Sequence, residues 1–156
     1  MKKILTLVLF FALSVSTLSG CGKKEDNAAL KTYNDTMTVF FEDLVKINDS
    51  IADIDATSST ALDDLYAQFD AFQAKLEYLT TIKAPEELEY HESIDQLAVE
   101  GADYMKQAND YLHQAFEEDT YSENYIEPAM ECYRRANKRV KYIISLIHGE
   151  VPAEAQ

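Results

Sequence analysis

The 156-residue chain carries 28 acidic against 14 basic side chains, a net charge of −14, with 47% hydrophobic residues and two cysteines. That acidity excludes a nucleic-acid binder, since phosphate backbones are gripped by Lys and Arg, and disfavours a body lying flat on anionic lipid. Regularly spaced Leu, Ile, Phe and Tyr exclude a disordered body, and the length behind a short leader is that of one domain.

Lys2 and Lys3 precede an apolar run from Ile4 to Val15, which leads to Leu18-Ser19-Gly20-Cys21. A positive start, an apolar middle and small residues at a cleavage point form the layout of a secretory signal. The run is short of the about 20 apolar residues that a spanning helix needs. Ser14, Ser16, Thr17 and Ser19 weaken its end further. Leu18-Ser19-Gly20-Cys21 resembles the signal of bacterial lipoproteins. The resemblance implies removal of residues 1–20, a diacylglyceryl thioether on Cys21 and an acyl chain such as palmitate on its new amino group. Two or more chains hold a protein stably on a bilayer. The expected product is anchored to the cell membrane by lipid and faces the extracytoplasmic side. Residues 21–27 would form a polar tether, 28–149 the body and 150–156 a flexible tail.

Glycine and proline are almost absent from the body, and long stretches without breakers read as helix. From Ala28 to Ile54, Leu30, Tyr33, Met37, Phe40, Leu44, Ile47, Ile51 and Ile54 recur at spacings of three and four. After a polar turn, Thr60 with Asp63 predicts a capped start to a second helix. That helix carries Leu62, Leu65, Phe69, Phe72, Leu76 and Leu79, and should end near Lys83, ahead of Pro85. Pro85 with Glu86, Glu87 and Glu89 predicts the first turn of a third helix reaching about Glu117. Its inward stripe is small in the middle, at Ala98, Gly101 and Ala108, as suits tight helix packing. A fourth helix holds Ile126, Met130, Tyr133, Ala136, Val140, Ile143, Ile144 and Ile147, with Pro128 in or near its first turn and Gly149 as C-terminal cap. Four one-striped helices with short connections specify an all-α, antiparallel up-down-up-down four-helix bundle.

This topology gives the acidity a direction. The first and third connections lie at the end away from the N-terminus. Residues 47–74 and 107–133 hold 13 of the 28 acids and no Lys or Arg. Once the two leader lysines are gone the chain carries −16, and these two segments carry −13 of it. The acidic membrane-distal tip is therefore the expected contact for a cationic partner, with Glu117, Glu118, Asp119 and Glu123 as candidate ligands for a divalent cation. The connections lack the Asp/Asn-Gly pattern of a dedicated calcium loop.

Catalytic motifs are missing. His91, His113 and His148 lie in no zinc motif, and Leu88, where a Glu-x-x-His pair requires glutamate, breaks the resemblance to di-iron bundles. Phosphate-binding glycine loops and nucleophile elbows are absent too. Met37 on the first helix and His148 at the end of the last are similar in placement to the axial pair of cytochrome b562-type bundles, which implies haem b as the carrier alternative. Covalent haem is excluded because no Cys-x-x-Cys-His occurs. A stripe methionine ordinarily fills core and a terminal histidine ordinarily caps a helix, so no cofactor is expected. With Cys21 lipidated, Cys132 has no partner within the chain and is expected as a small buried residue. Tyr66, Tyr78, Tyr90, Tyr121, Tyr125 and Tyr142 fall beside the main stripes, where rings can line a surface. The sequence thus predicts a binding or adaptor module in the cell envelope, with a protein partner, and a small-ligand, divalent-cation or haem b carrier as the alternative.

Overall fold

Positions three and four apart share one side of a 3.6-residue turn, so each apolar stripe becomes one buried helix face. In the computed structural model, which describes residues 28–117 and 121–152, the faces belong to four helices. These are α1 (Ala28–Ala52), α2 (Ala61–Leu79), α3 (His91–Ala115) and α4 (Ile126–Ile147), the last entered through a 3-10 turn at Glu123–Tyr125. No strand occurs among the described residues. The leader, Cys21 and the 21–27 tether lie outside them.

Cross-helix pairs fix the helix directions. Tyr66 stacks on His113 and Asp70 accepts from Asn109, so numbers rise along α2 as they fall along α3. Glu100 with Arg139 and Tyr111 with Tyr125 give the same sense for α3 and α4. The protein is an antiparallel, all-α four-helix bundle, as the stripes predict.

Side-chain size sets the spacing of the helices. α3 buries Ala98, Gly101, Ala102, Ala108 and Ala115, and α4 buries Ala129 and Ala136. A Cβ at Gly101 would lie 3.5 Å from Arg139 Cβ and 3.8 Å from Leu76 Cδ1. The small-residue stripe is thus a packing seam, and α3 and α4 form the most extensive helix pair. α1 instead contributes bulk: Tyr33, Met37, Phe40, Phe41, Leu44 and Ile51. Phe69 and Phe72 of α2 are wholly enclosed.

A hydrogen-bonded network of Tyr133, Asn48 and Asn137 interrupts this apolar interior. The Tyr133 hydroxyl donates to Asn48 Oδ1, and Asn48 Nδ2 donates to Asn137 Oδ1 at 3.3 Å. Asn137 Nδ2 then donates to the Tyr133 carbonyl one turn back, at 3.1 Å. All three side chains are buried. Phe69, itself fully enclosed, stacks on the Tyr133 ring at 5.4 Å. This chain of hydrogen bonds joins α1 to α4 and closes the ring of helices.

Three expectations at the helix ends are not met: α2 stops at Leu79, four residues before Lys83, and Pro85 and Thr60 take other roles. Pro85 does not open α3, which starts six residues later. The Pro85 carbonyl accepts from Leu88 N at 2.9 Å and the Leu88 carbonyl from His91 N at 3.1 Å, making two successive turns. A tertiary contact holds them: Ala84 N donates to Asp95 Oδ1 at 3.0 Å, and Lys83 pairs with the same carboxylate at 3.2 Å. Glu86, Glu87 and Glu89 therefore sit in turns, and Glu92 supplies the acid of the first helical turn. Thr60 does not cap α2 through its side chain; its hydroxyl donates to Asp64 Oδ2 at 2.8 Å. At the other end of the chain Gly149 behaves as expected. With φ at 77° it directs its own N–H to Leu146 O and that of Glu150 to Ser145 O, closing α4.

Two outcomes follow from this packing. Gly101→Ala should stabilise the bundle by about 0.5–1 kcal/mol in thermal or urea unfolding, because its Cβ meets only ordinary contacts and helix propensity improves. Gly101→Leu should destabilise it by overpacking the seam. Destabilisation by alanine would contradict the geometry. Burial also pushes the Tyr133 phenol up to about 12 and Tyr33 higher still. Above the unfolded value of 10.0 the native state holds protons that the unfolded chain has lost. Stability should then be complete below about pH 10 and fall as pH rises toward about 12, with a shallower fall in Tyr133→Phe; equal slopes in the two proteins would contradict the assignment.

Candidate functional site

The distal end of the bundle is built from the α1–α2 connection and the segment joining α3 to α4. Ser122 N donates to Ala115 O at 2.8 Å, which ties the start of the α4 approach to the last residue of α3. Glu117 follows that helix end, where the dipole disfavours a carboxylate. Glu123 opens the 3-10 turn and Glu127 the first turn of α4, where the dipole favours one. Both Glu117 and Glu123 are exposed. Glu118 and Asp119 lie outside the described residues. Among the described residues, no three His, Cys, Asp or Glu side chains converge as metal ligands.

The charges divide into two groups. On α3 and α4 several acids are matched: Asp110 pairs with Lys106 at 2.7 Å, while Glu127 and Glu131 share Arg134 at 2.8 and 3.0 Å. The Arg134 and Arg135 hydrogen bonds hold the Glu131 carboxyl below its ordinary range. At the distal end Asp49, Asp53, Asp63 and Glu123 have no cationic partner among the described residues. Asp55 there is held low by the Thr57 backbone N–H and hydroxyl, as in an Asx turn.

Aromatic side chains surround the end of α3. His113 stacks face to face on Tyr66 at 4.3 Å, Tyr66 meets Phe116 edge-on at 6.4 Å, and Phe116 meets Tyr121 at 5.4 Å. Tyr111 and Tyr125 stack at 6.3 Å. Tyr121 is 52% exposed and Tyr125 37%. Burial, then the neighbouring Asp63 charge, pushes the Tyr66 phenol up. The sequence placed Tyr66, Tyr121 and Tyr125 beside the stripes. It gave no sign of their contacts with His113 and Phe116, which depend on how α2 lies against α3.

The remaining candidates are dispersed. Met37 is fully buried, at 0% exposure, whereas His148 is exposed at the C-cap of α4. His91 opens α3 with Nδ1 3.0 Å from Leu88 O. A groove of about 400 Å³ between α1 and α2 is lined in part by Val39, Phe40, Asp43, Lys75 and Tyr78. Hydrogen bonds from Lys75 and then Lys46 hold the Asp43 carboxyl below its ordinary range. Neither Met37 nor His148 lines this groove. No protein family, curated protein or solved structure matches the chain.

Cys132 is half-buried on α4, and burial pushes its thiol above the ordinary range. The thiolate is the reactive form. Cys132 should therefore react with an aromatic disulfide reagent at pH 8 more slowly in the folded protein than in urea. Equal rates in the two states would show an accessible, activated thiol.

Proposed function

We propose that this chain is a lipid-anchored lipoprotein of the cell envelope that works as a binding or adaptor module, presenting its acidic tip to a cationic partner protein. The observation that carries the reading is the placement of charge along the bundle. The chain attaches through the residues before Ala28, and the opposite end is built from residues 47–74 and 107–133, which hold 13 acids and no Lys or Arg. An anchor at Cys21 would hold that end away from the bilayer. No helix among the described residues is long and apolar enough to cross a membrane, so attachment in this reading rests on the two or more chains of a lipidated cysteine.

Two measurements test it. Cells fed labelled palmitate should yield a labelled, membrane-sedimenting protein that loses both properties in Cys21→Ser; sedimentation of the variant would overturn the anchor. A photo-crosslinking residue at Glu123 should give a discrete adduct in cells, whereas one at Glu92, exposed near the opposite end, should give none. The reverse pattern, or none from either position, would overturn the tip as the contact.

A further inference from the structure

On α4 the protein fills a motif with its own side chains. The Arg135 guanidinium lies 5.6 Å from the centre of the Tyr104 ring while its Nε donates to Glu131 at 2.9 Å. Arg139 lies 5.3 Å from the same ring and donates to Glu100 at 2.6 Å. Each arginine is held between an aromatic face and a carboxylate, both of which attract a planar cation. The distal end carries the same two ingredients without the third. Tyr121 and Tyr125 are exposed, Asp63 and Glu123 have no cationic partner among the described residues, and neither flanking segment contains Lys or Arg.

We propose that the exposed rings at this end, Tyr121 against Phe116 and Tyr125 against Tyr111, are a docking surface for an arginine-bearing polypeptide segment, whose guanidinium groups lie on the tyrosine rings and pair with Asp63 and Glu123. The occupant follows from charge complementarity and from the arrangement the chain itself uses at Tyr104. Arginine fits better than lysine because its planar, weakly hydrated fork stacks on rings while it still donates to carboxylates. Exposed tyrosine near unmatched acid is also the composition of an interface centre, where aromatic residues dominate the energy. This inference rests on the tip being the contact, and it names the chemistry of the partner.

The test uses the full chain in non-ionic detergent with two synthetic peptides, (Gly-Arg)4 and (Gly-Lys)4, titrated by calorimetry and by amide chemical shifts. The arginine peptide should bind several-fold more tightly than the lysine peptide and shift amides around residues 113–127. Tyr121→Leu combined with Tyr125→Leu, which keeps the charge and apolar bulk, should weaken binding at least ten-fold. The corresponding phenylalanine pair should retain it. Asp63→Asn with Glu123→Gln should weaken both peptides alike, with circular dichroism confirming that each variant is folded. If the leucine pair binds as the wild type while the acid variant loses binding, the aromatic docking surface is overturned and the acidic tip stands. If the arginine peptide does not bind, or neither set of variants changes its affinity, the inference is overturned, and the crosslink at Glu123 decides the broader reading independently.

Discussion

The closure of this bundle depends on a buried network of one tyrosine and two asparagines, the asparagines placed where the pattern calls for apolar residues. Asn48, Tyr133 and Asn137 sit inside the core, and their hydrogen bonds carry α1 onto α4. An apolar interface made of large side chains is tolerant of sliding, because many arrangements bury similar area. A buried amide is not, since leaving it unmatched costs about 1–3 kcal/mol. Only one register pairs Asn48 with both Tyr133 and Asn137. The network thus adds to α1, the helix built of the bulkiest residues, the positional definition that α3 and α4 gain from alanine and glycine in close contact.

Register at the core decides what the ends present. With α2 fixed against α3 by Asn109, which donates to Asp70 at 2.7 Å and Gln73 at 3.0 Å, Tyr66 arrives opposite His113. The Ser122–Ala115 bond then returns the chain across the end of α3 and brings Tyr121 onto Phe116. The carboxylates of both connections lie at this same end, with Asp63 beside Tyr66, while cations of α4 are engaged further along with Glu127, Glu131 and Glu100. Acid without matching base at one end is a consequence of topology acting on a sequence whose basic residues avoid two segments. A long-range field of that sign would accelerate encounter with a cationic partner and weaken with salt.

Much of this was legible in the sequence, because helix periodicity is a local signal. The stripes through Met37, Phe69, Ala108 and Val140 identify four helices, and the scarcity of glycine and proline marks the connections. Antiparallel topology then assigns Asp63 and Glu123 to the same end without reference to coordinates. Other features were hidden for physical reasons. Asn48 stands four residues after Leu44 and three before Ile51, and Asn137 stands four after Tyr133 and three before Val140. Both spacings belong to the buried stripe, so the signal existed, but it concerned position and not residue type. The turns after Pro85 could not be read locally, because Asp95, on a later helix, holds Ala84 and Lys83. Nor could the Tyr66–His113 stack, which requires the relative placement of two helices.

The most direct test of the central claim is a double-mutant cycle between Asn48 and Tyr133, read by urea unfolding of the wild type, Asn48→Ala, Tyr133→Phe and the double variant. Groups joined in one buried network couple by about 0.5–3 kcal/mol, whereas independent sites add to within about 0.3–0.5 kcal/mol. The network predicts a coupling of about 1 kcal/mol or more, with the second substitution costing less once the first has been made. Strict additivity would show that α1 and α4 are held together by apolar packing alone.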